Sequence, residues 1–429
     1  MQRFIYNLFL PIGFIFFIPG LLIKYRNRGG WKSTFGERFG KFSPERIAEL
    51  AGYHGAIWVH AVSVGETVVA LSLIESYLKK HPERKFILST TTTTGQELAR
   101  KRVPRNTAVI FCPIDFTWMV RNTFNILQPS MLVIFETEIW PNLISEAKKR
   151  KIPVALVNGR MSDHSASGYR KAKLFFAPLL RKFDLIMVQT KADAERYLGI
   201  SPEAKVMVHG NLKFDQTPPE NIGDPGLADY FGPGEHKILL AASTHPGEEE
   251  LVAGSFMELA KEISGLKLVL VPRHAERGGD VAAMLFRKGL VFRRRSQDNI
   301  PEITKPAVCD VLIADTTGEM FKFMNCTDVV IMGKSLAGHD EGHNLIEPAL
   351  LKKPIVTGHV LRNFRYLLDA LREGDAVALV TKDAELTLRL RELFSDDTMR
   401  LQLGERAAAV ISQHCGAAER TIDSLETLL

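Results

Sequence analysis

The stretch Ala56–Lys80, AIWVHAVSVGETVVALSLIESYLKK, decides the fold. It opens with a short apolar run, Ala56–His60, that has no polar alternation. A turn bearing Ser63 and Glu66 follows, and then apolar residues recur at helical spacing from Val68 to Lys80. A strand apolar on both faces that runs straight into an amphipathic helix is the first half of a βαβ unit, whose parallel strands are covered by helices on both sides. Working outward, the same rhythm predicts strands at Phe86–Thr90, Val109–Phe111, Met131–Phe135, Val154–Val157, Leu185–Val188 and Val206–His209, with a further helix over Leu143–Lys151. Gly210–Pro219 breaks the pattern, and a Pro/Gly-rich run continues to Gly234. A second array then predicts strands at Ile238–Ala241, Leu268–Val271, Val311–Ala314, Val329–Met332, Ile355–Thr357 and Val377–Val380. The end of the chain, Ala384–Leu429, reads as helical. The fold class is therefore α/β, with two doubly wound Rossmann-like lobes. A cleft is expected between them, and ligands are expected outside the carboxyl ends of the strands. The division is residues 1–28 as anchor and basic flank, 29–212 as first lobe and 213–429 as second lobe.

Bulk properties narrow the class. Hydrophobic residues make up 45% and charged residues 24% of the 429, which excludes a disordered chain. The net charge of +6 hides an uneven split. Through Leu212 there are 30 Lys and Arg against 16 Asp and Glu; from Lys213 onward there are 25 against 33. A basic first half calls for a polyanionic partner or an anionic surface. Cys112, Cys309, Cys326 and Cys415 are scattered, without a CxxC pair or zinc spacing, as in a reducing compartment. Phe4–Ile23 is almost wholly apolar, about the 20 residues that a bilayer core requires. One Arg3 precedes it, while Lys24, Arg26, Arg28 and Lys32 follow. That polarity is the reverse of a cleaved signal and keeps the body on the cytoplasmic side. An N-terminal membrane helix is the expectation; a buried or interfacial helix is the alternative.

The turns after the strands carry the candidate chemistry. Ser63 and Glu66 have the spacing of a capping box. A second reading puts Glu66 at a helix N-terminus facing the cleft, ionised by the dipole as a general base must be. In Glu136-Thr137-Glu138-Ile139-Trp140-Pro141-Asn142, the two carboxylates point opposite ways if the strand continues, and Glu138 is the one expected to face the cleft. Arg160 reads either as a grip on an anionic acceptor or as a solvated cation. In the second lobe, the turns at Ser243-Thr244-His245-Pro246-Gly247-Glu248, Asp315–Glu319 and Gly342–Pro348 offer backbone N–H groups at helix starts, where a phosphate is well received. Asn344 reads as a cap and Glu347 as either a ribose contact or a reinforcement of that cap. Arg273 supplies a cation at the same rim. No GxxxxGK[ST] or GxGxxG follows a strand, which argues against ATP hydrolysis and NAD binding. No metal-ligand pair stands out, so no metal and no cofactor are expected.

Six motifs in order carry a resemblance: His60–Glu66 (HAVSVGE), Glu136–Asn142 (ETEIWPN), Gly210–Asp215 (GNLKFD), Ser243–Glu249 (STHPGEE), Pro272–His274 (PRH) and His343–Ala349 (HNLIEPA). Over nearly its whole length the chain resembles the Kdo (3-deoxy-D-manno-octulosonic acid) transferases of lipopolysaccharide synthesis. The resemblance implies a GT-B fold and inverting transfer of Kdo from CMP-Kdo to a lipid A precursor, at the cytoplasmic face of the inner membrane. It implies Glu66 as catalytic base. It places Arg273, Gly318, Glu319, Asn344 and Glu347 along the CMP site, and Glu138 and Lys213 near the cleft. Two departures stand out. Glu341-Gly342-His343-Asn344 replaces Gly-Gly-His-Asn, and Gly333-Lys334-Ser335 replaces Gly-Gly-Ser, so Glu341 and Lys334 either pair with each other or alter donor contacts.

Phosphates on the acceptor and on inner-membrane phospholipids would suit the basic first half. Nucleic acid fits less well, because the cations lack interleaved aromatics. Two rivals remain at this stage. One is another GT-B glycosyltransferase or an epimerase using a UDP-sugar; the other is a non-catalytic two-lobed nucleotide-sugar-binding protein.

Overall fold

The structure is a computed structural model that describes residues 6–11, 36–216, 218, 221–298 and 308–429. Most of the expected membrane segment lies outside these residues. Among the described residues, no helix is long and apolar enough to cross a membrane. The chain divides into two compact units, Met1–Asp215 with His414–Leu429, and Gln216–Gln413.

Seven parallel strands form the sheet of the first unit: β1 Ile57–Ala61, β2 Phe86–Thr90, β3 Thr107–Phe111, β4 Met131–Phe135, β5 Val154–Gly159, β6 Leu185–Val188 and β7 Val206–Val208. Their order is β3-β2-β1-β4-β5-β6-β7. Every residue of β1 to β6 is buried, as their largely apolar runs require, and the polar residues His60, Ser89, Thr90, Thr107 and Asn158 are buried with them. Alternate residues feed two apolar layers. Trp58, Ile87, Leu132 and Leu156 meet Phe124, Leu143 and Ile144 on one side. Val59, Leu88, Val133 and Val157 meet Val69, Ile74 and Tyr77 of the helix Val64–Lys80 on the other. Each fully buried side chain of this kind contributes roughly 1.5–3 kcal/mol. The helices start on hydroxyl caps: Ser63, Thr92, Ser162 and Thr190 each accept the amide N–H three residues on.

The second unit repeats the plan with β8 Lys237–Thr244, β9 Leu266–Pro272, β10 Phe292–Arg294, β11 Val311–Ile313, β12 Val329–Met332, β13 Ile355–Gly358 and β14 Ala378–Val380. All are parallel, in the order β10-β11-β9-β8-β12-β13-β14. The sequence pattern did not reveal β10. It is an edge strand of three half-buried residues, two of them arginines, too short and too charged to show a period. In each sheet the connections part in opposite directions at one place, between β1 and β4 and between β8 and β12. Loops diverge there and leave a crevice at the carboxyl edge.

The boundary differs from the sequence division at 212/213. Residues 213–215 stay with the first unit, and residues 414–429 return to it. Asp215 explains the return, since its carboxylate accepts the N–H groups of Gly416 and, at 2.6 Å, of Ala418, capping the last helix, Ala417–Glu426. Arg420 adds two bonds to the His209 carbonyl, at 2.7 and 3.0 Å. Ile422 and Leu425 then enter the same apolar layer as Tyr77. Asp215→Ala removes this cap. It should lower the unfolding free energy by about 1–2 kcal/mol, read from the midpoint of urea unfolding, and make the C-terminal helix more sensitive to protease.

Candidate functional site

In the first unit the loops at the switch point are those after β1 and β4. Val62 and Ser63 follow β1, and Glu66 opens the helix. Ser63 Oγ accepts the Glu66 amide N–H at 3.3 Å and donates to Glu66 Oε1 at 2.7 Å, while Glu66 Oε2 accepts the Val62 N–H at 2.9 Å. The capping geometry that the spacing suggested is thus present, with Val62 rather than Ser63 supplying the backbone donor. Glu66 is 8% exposed. After β4 the backbone turns sharply at Glu136, whose φ is +54°. Glu136 is buried and pairs with Arg160 at 2.9 Å. Arg160 is therefore spent on a carboxylate of its own unit. Glu138 accepts the Trp140 indole N–H at 2.8 Å. Burial raises its pKa; the Trp140 hydrogen bond opposes this, and the charges of Glu66 and Glu136 add to it. Glu66 and Glu138 are thus near enough at the switch point for the charge of Glu66 to act on Glu138. Asp115 holds the start of the next helix through the N–H groups of Asn142 and Leu143, at 2.9 and 2.8 Å. Lys213 lies in the short turn Leu212–Asp215, whose Leu212 N–H is held by Asn158.

In the second unit the switch point is closed by Glu248, a carboxylate to which its place in the Ser243–Glu248 turn assigned no separate role. Glu248 is 1% exposed and accepts four backbone N–H groups, those of His245, Lys334, Ser335 and Leu336, at 2.8–3.0 Å. It binds the loop after β8 to the loop after β12. The approach is close enough that a side chain at Gly333 would strike the Ser243 carbonyl oxygen at 2.4 Å. Ser243 itself has a φ of +55°, a conformation costly for a residue other than glycine. Beside it, Thr244 donates to Glu249, which forms a two-bond ion pair with Arg277.

Around this pin lies a cluster of cations and imidazoles. His245 and His343 stack, with their Nε2 atoms 3.2 Å apart, and His274 and His339 have ring centroids within 6.1 Å of His245. Burial pushes the His343 imidazole down to about 4, helped by Arg273, His245 and Lys334. Burial raises the Glu347 carboxyl, against the pull of Asn344 and Arg273. Asn344 accepts the Ile346 N–H at 3.1 Å, but the residue at the N-cap is Leu345, so Asn344 closes the turn before the helix and is not the cap that its sequence position suggests. The charge of Arg273 reaches both His343 and Glu347, and Glu347 bonds to Asn344, so these four side chains form one neighbourhood. Lys334 and Glu341, the two departures from the family pattern, pair at 3.6 Å. Glu319 belongs to a different group: it holds Arg295 through two bonds and accepts from Thr316, next to Gly318, whose φ is +87°. Arg294 and Ser296 are held likewise by buried Asp315. The sequence signal for Glu248 was three acidic residues in one first turn, which the helix dipole alone accounts for. Its four acceptor bonds exist only once β12 is placed. Among the described residues, no group of three or more His, Cys, Asp or Glu side chains is arranged to hold a metal ion.

Two parallel seven-stranded units, each with one switch point in its strand order, define a GT-B-type α/β protein. A structure of a putative UDP-N-acetylglucosamine 2-epimerase from Listeria monocytogenes shares this fold, with a TM-score of 0.58 at 15% identity, over 87% of this chain and 96% of that one. Residues 33–216 match the family model described as 3-deoxy-D-manno-octulosonic-acid transferase (kdotransferase). Relatives named 3-deoxy-D-manno-octulosonic acid transferase include one from Bordetella pertussis, 32% identical over 95% of this chain and 94% of its own length. Another, from Haemophilus influenzae, is 31% identical over 90% and 92%. The chain belongs to the 3-deoxy-D-manno-octulosonic acid transferase family.

Glu248→Gln tests the pin. The amide keeps the shape but offers one acceptor oxygen, leaving buried N–H groups of the β12 loop facing an NH₂. Each such loss costs about 1–3 kcal/mol, so urea unfolding of the second unit should shift by at least that amount and amide exchange at Lys334–Leu336 should quicken.

Proposed function

We propose that the chain is an inverting glycosyltransferase that moves Kdo from CMP-Kdo to a lipid A precursor in lipopolysaccharide biosynthesis. The observation that carries this reading is identity above 30% with two Kdo transferases over at least nine-tenths of the chain. In the proposed reaction the acceptor hydroxyl attacks the anomeric carbon of Kdo. Its proton passes to Glu66, the new carbon–oxygen bond forms, and the bond to the phosphate breaks with its electron pair leaving on CMP. One displacement inverts the centre.

The capping role of Glu66 is compatible with this step. A carboxylate has about four acceptor positions, and Val62 N–H and Ser63 Oγ–H use two of them. Those two bonds hold the carboxylate still, and the other two positions remain for a substrate proton. On the donor side, Arg273 makes no ion pair among the described residues, and it stands beside Asn344 and Glu347. A fixed cation with helix-start N–H groups is what the charge growing on a departing phosphate needs. In this reading Ser243, Thr244, Gly318 and Glu319 shape the donor pocket, and Ser63, Glu138, Arg160 and Lys213 the acceptor side. The basic first half and the apolar segment Phe4–Ile23 favour attachment to the inner membrane, with the body in the cytoplasm.

The test is incubation of the full chain with CMP-Kdo generated in situ and a tetra-acylated lipid A precursor, followed by mass spectrometry, with UDP-sugars as the contrasting donors. A mass increment of Kdo on the lipid is expected with CMP-Kdo alone. Glu66→Gln keeps most of the cap and should retain CMP binding while turnover falls by about 10²-fold or more. Turnover like that of the native chain would remove Glu66 from the mechanism.

A further inference from the structure

Glu248 Oε2 accepts two amide N–H groups at 2.8 Å, that of His245 after β8 and that of Lys334 after β12. One oxygen therefore sets the two loops side by side. The Lys334 carbonyl accepts the Gly342 N–H at 2.7 Å, which brings Glu341 and His343 to the same place. His343 stacks on His245, with their Nε2 atoms 3.2 Å apart. Lys334 has a φ of +60°, a left-handed conformation that glycine takes freely and a long side chain resists. A residue held in a costly conformation in such a loop points to a use for its side chain.

The surrounding charges say what that use is. The Lys334 ammonium stands 3.6 Å from the Glu341 carboxylate, longer than a charge-assisted hydrogen bond of about 2.8 Å. Both side chains meet solvent, at 27% and 41% exposure, and a loose, wet ion pair of this kind contributes little. The groups around it carry, or can carry, positive charge. Burial lowers the His245 pKa, and Lys334, His339, His274 and Arg277 lower it further. At His343, burial, Arg273, His245 and Lys334 disfavour a positive charge, and Glu341 opposes them. The neighbouring carboxylates are engaged elsewhere, Glu248 by its four N–H groups and Glu249 by Arg277. Glu341 therefore stands among these cations as an anion on a part-exposed side chain that another anion can replace.

We propose that Lys334 is a donor-binding residue whose place Glu341 keeps, and that an anionic group of CMP-Kdo takes the ammonium from Glu341 as the donor enters. The donor offers two such groups, the phosphate of the nucleotide and the carboxylate of the sugar acid. This rests on the reading of the chain as a Kdo transferase. A pair that merely clipped two loops together would need both residues for the same end. An exchange sets them against each other, because Glu341 competes with the donor for one cation.

Steady-state kinetics of the full chain with CMP-Kdo and the lipid A precursor separate the two cases. Lys334→Met keeps most of the side-chain stem and removes the charge, so the KM for CMP-Kdo should rise about 10-fold. Glu341→Gln releases the ammonium, and the same KM should fall about 2- to 5-fold. The KM for the lipid A precursor should stay at its native value in both. Inhibition by CMP, which lacks the sugar carboxylate, locates the anion. A weakening in Lys334→Met that matches the rise in KM assigns the contact to the phosphate, an unchanged inhibition assigns it to the carboxylate, and either supports the exchange. A donor KM that does not rise in Lys334→Met, or does not fall in Glu341→Gln, overturns it, and either variant decides the matter if the other fails to fold. Native transfer then leaves the Kdo transferase reading in place. A native chain that transfers nothing from CMP-Kdo overturns that reading, and the exchange with it.

Discussion

Loops at the carboxyl edge of a parallel sheet bring backbone N–H groups into positions that are partly buried and have no strand to pair with. In this protein buried or half-buried carboxylates supply the missing acceptors. Glu66 takes Val62, Asp115 takes Asn142 and Leu143, Asp193 takes Met161, and Asp215 takes Gly416 and Ala418. Glu248 takes four donors and Asp315 takes Ser296. Without these acceptors the loops would carry unpaired polar groups, each a cost of about 1–3 kcal/mol. With them, the residues that follow the strands hold single positions.

The same device sets the local charge of each candidate site. The second half of the chain is net acidic, yet its proposed ligand is an anion. The structure separates the two facts. Glu248 and Asp315 are occupied by backbone N–H groups, and Glu249 and Glu319 by Arg277 and Arg295. Gathered near one another in the same unit are Arg273, Lys334 with its partner Glu341, and the imidazoles of His245, His274, His339 and His343. In the first unit the balance is reversed. Arg160 is drawn onto Glu136, and Glu138 is left near Glu66, with its carboxyl raised chiefly by burial. A net charge counted over half a chain therefore says little about a crevice; the pairing of individual side chains decides it.

Much of the framework could be read in the residues. β4 and β6 begin and end where their apolar runs do, because a strand buried on both faces draws on a continuous apolar run. Ser63, and Trp140 with Pro141, sit at helix starts, since caps and first-turn prolines act over three or four residues. β10 escaped because three residues at an edge need no apolar period. Whether the last helix packs back on the first lobe was open from the sequence, because the answer depends on contacts such as Arg420 with His209, more than 200 positions apart. Lys334 and Glu341 were visible as departures, but whether they met was a matter of loop geometry.

By itself the sequence determined the parallel α/β class, the doubling of the unit, the turns that carry the candidate residues and, through six ordered motifs, the family. These depend on local periodicity, on capping and on residue identity at fixed spacing. Only the tertiary structure decided which strands flank each switch point and which unit owns the last helix. It also decided that Glu248 joins two loops. Each of these turns on a contact between residues far apart in the chain, and a hydrogen bond of that kind leaves no mark in the spacing of either partner.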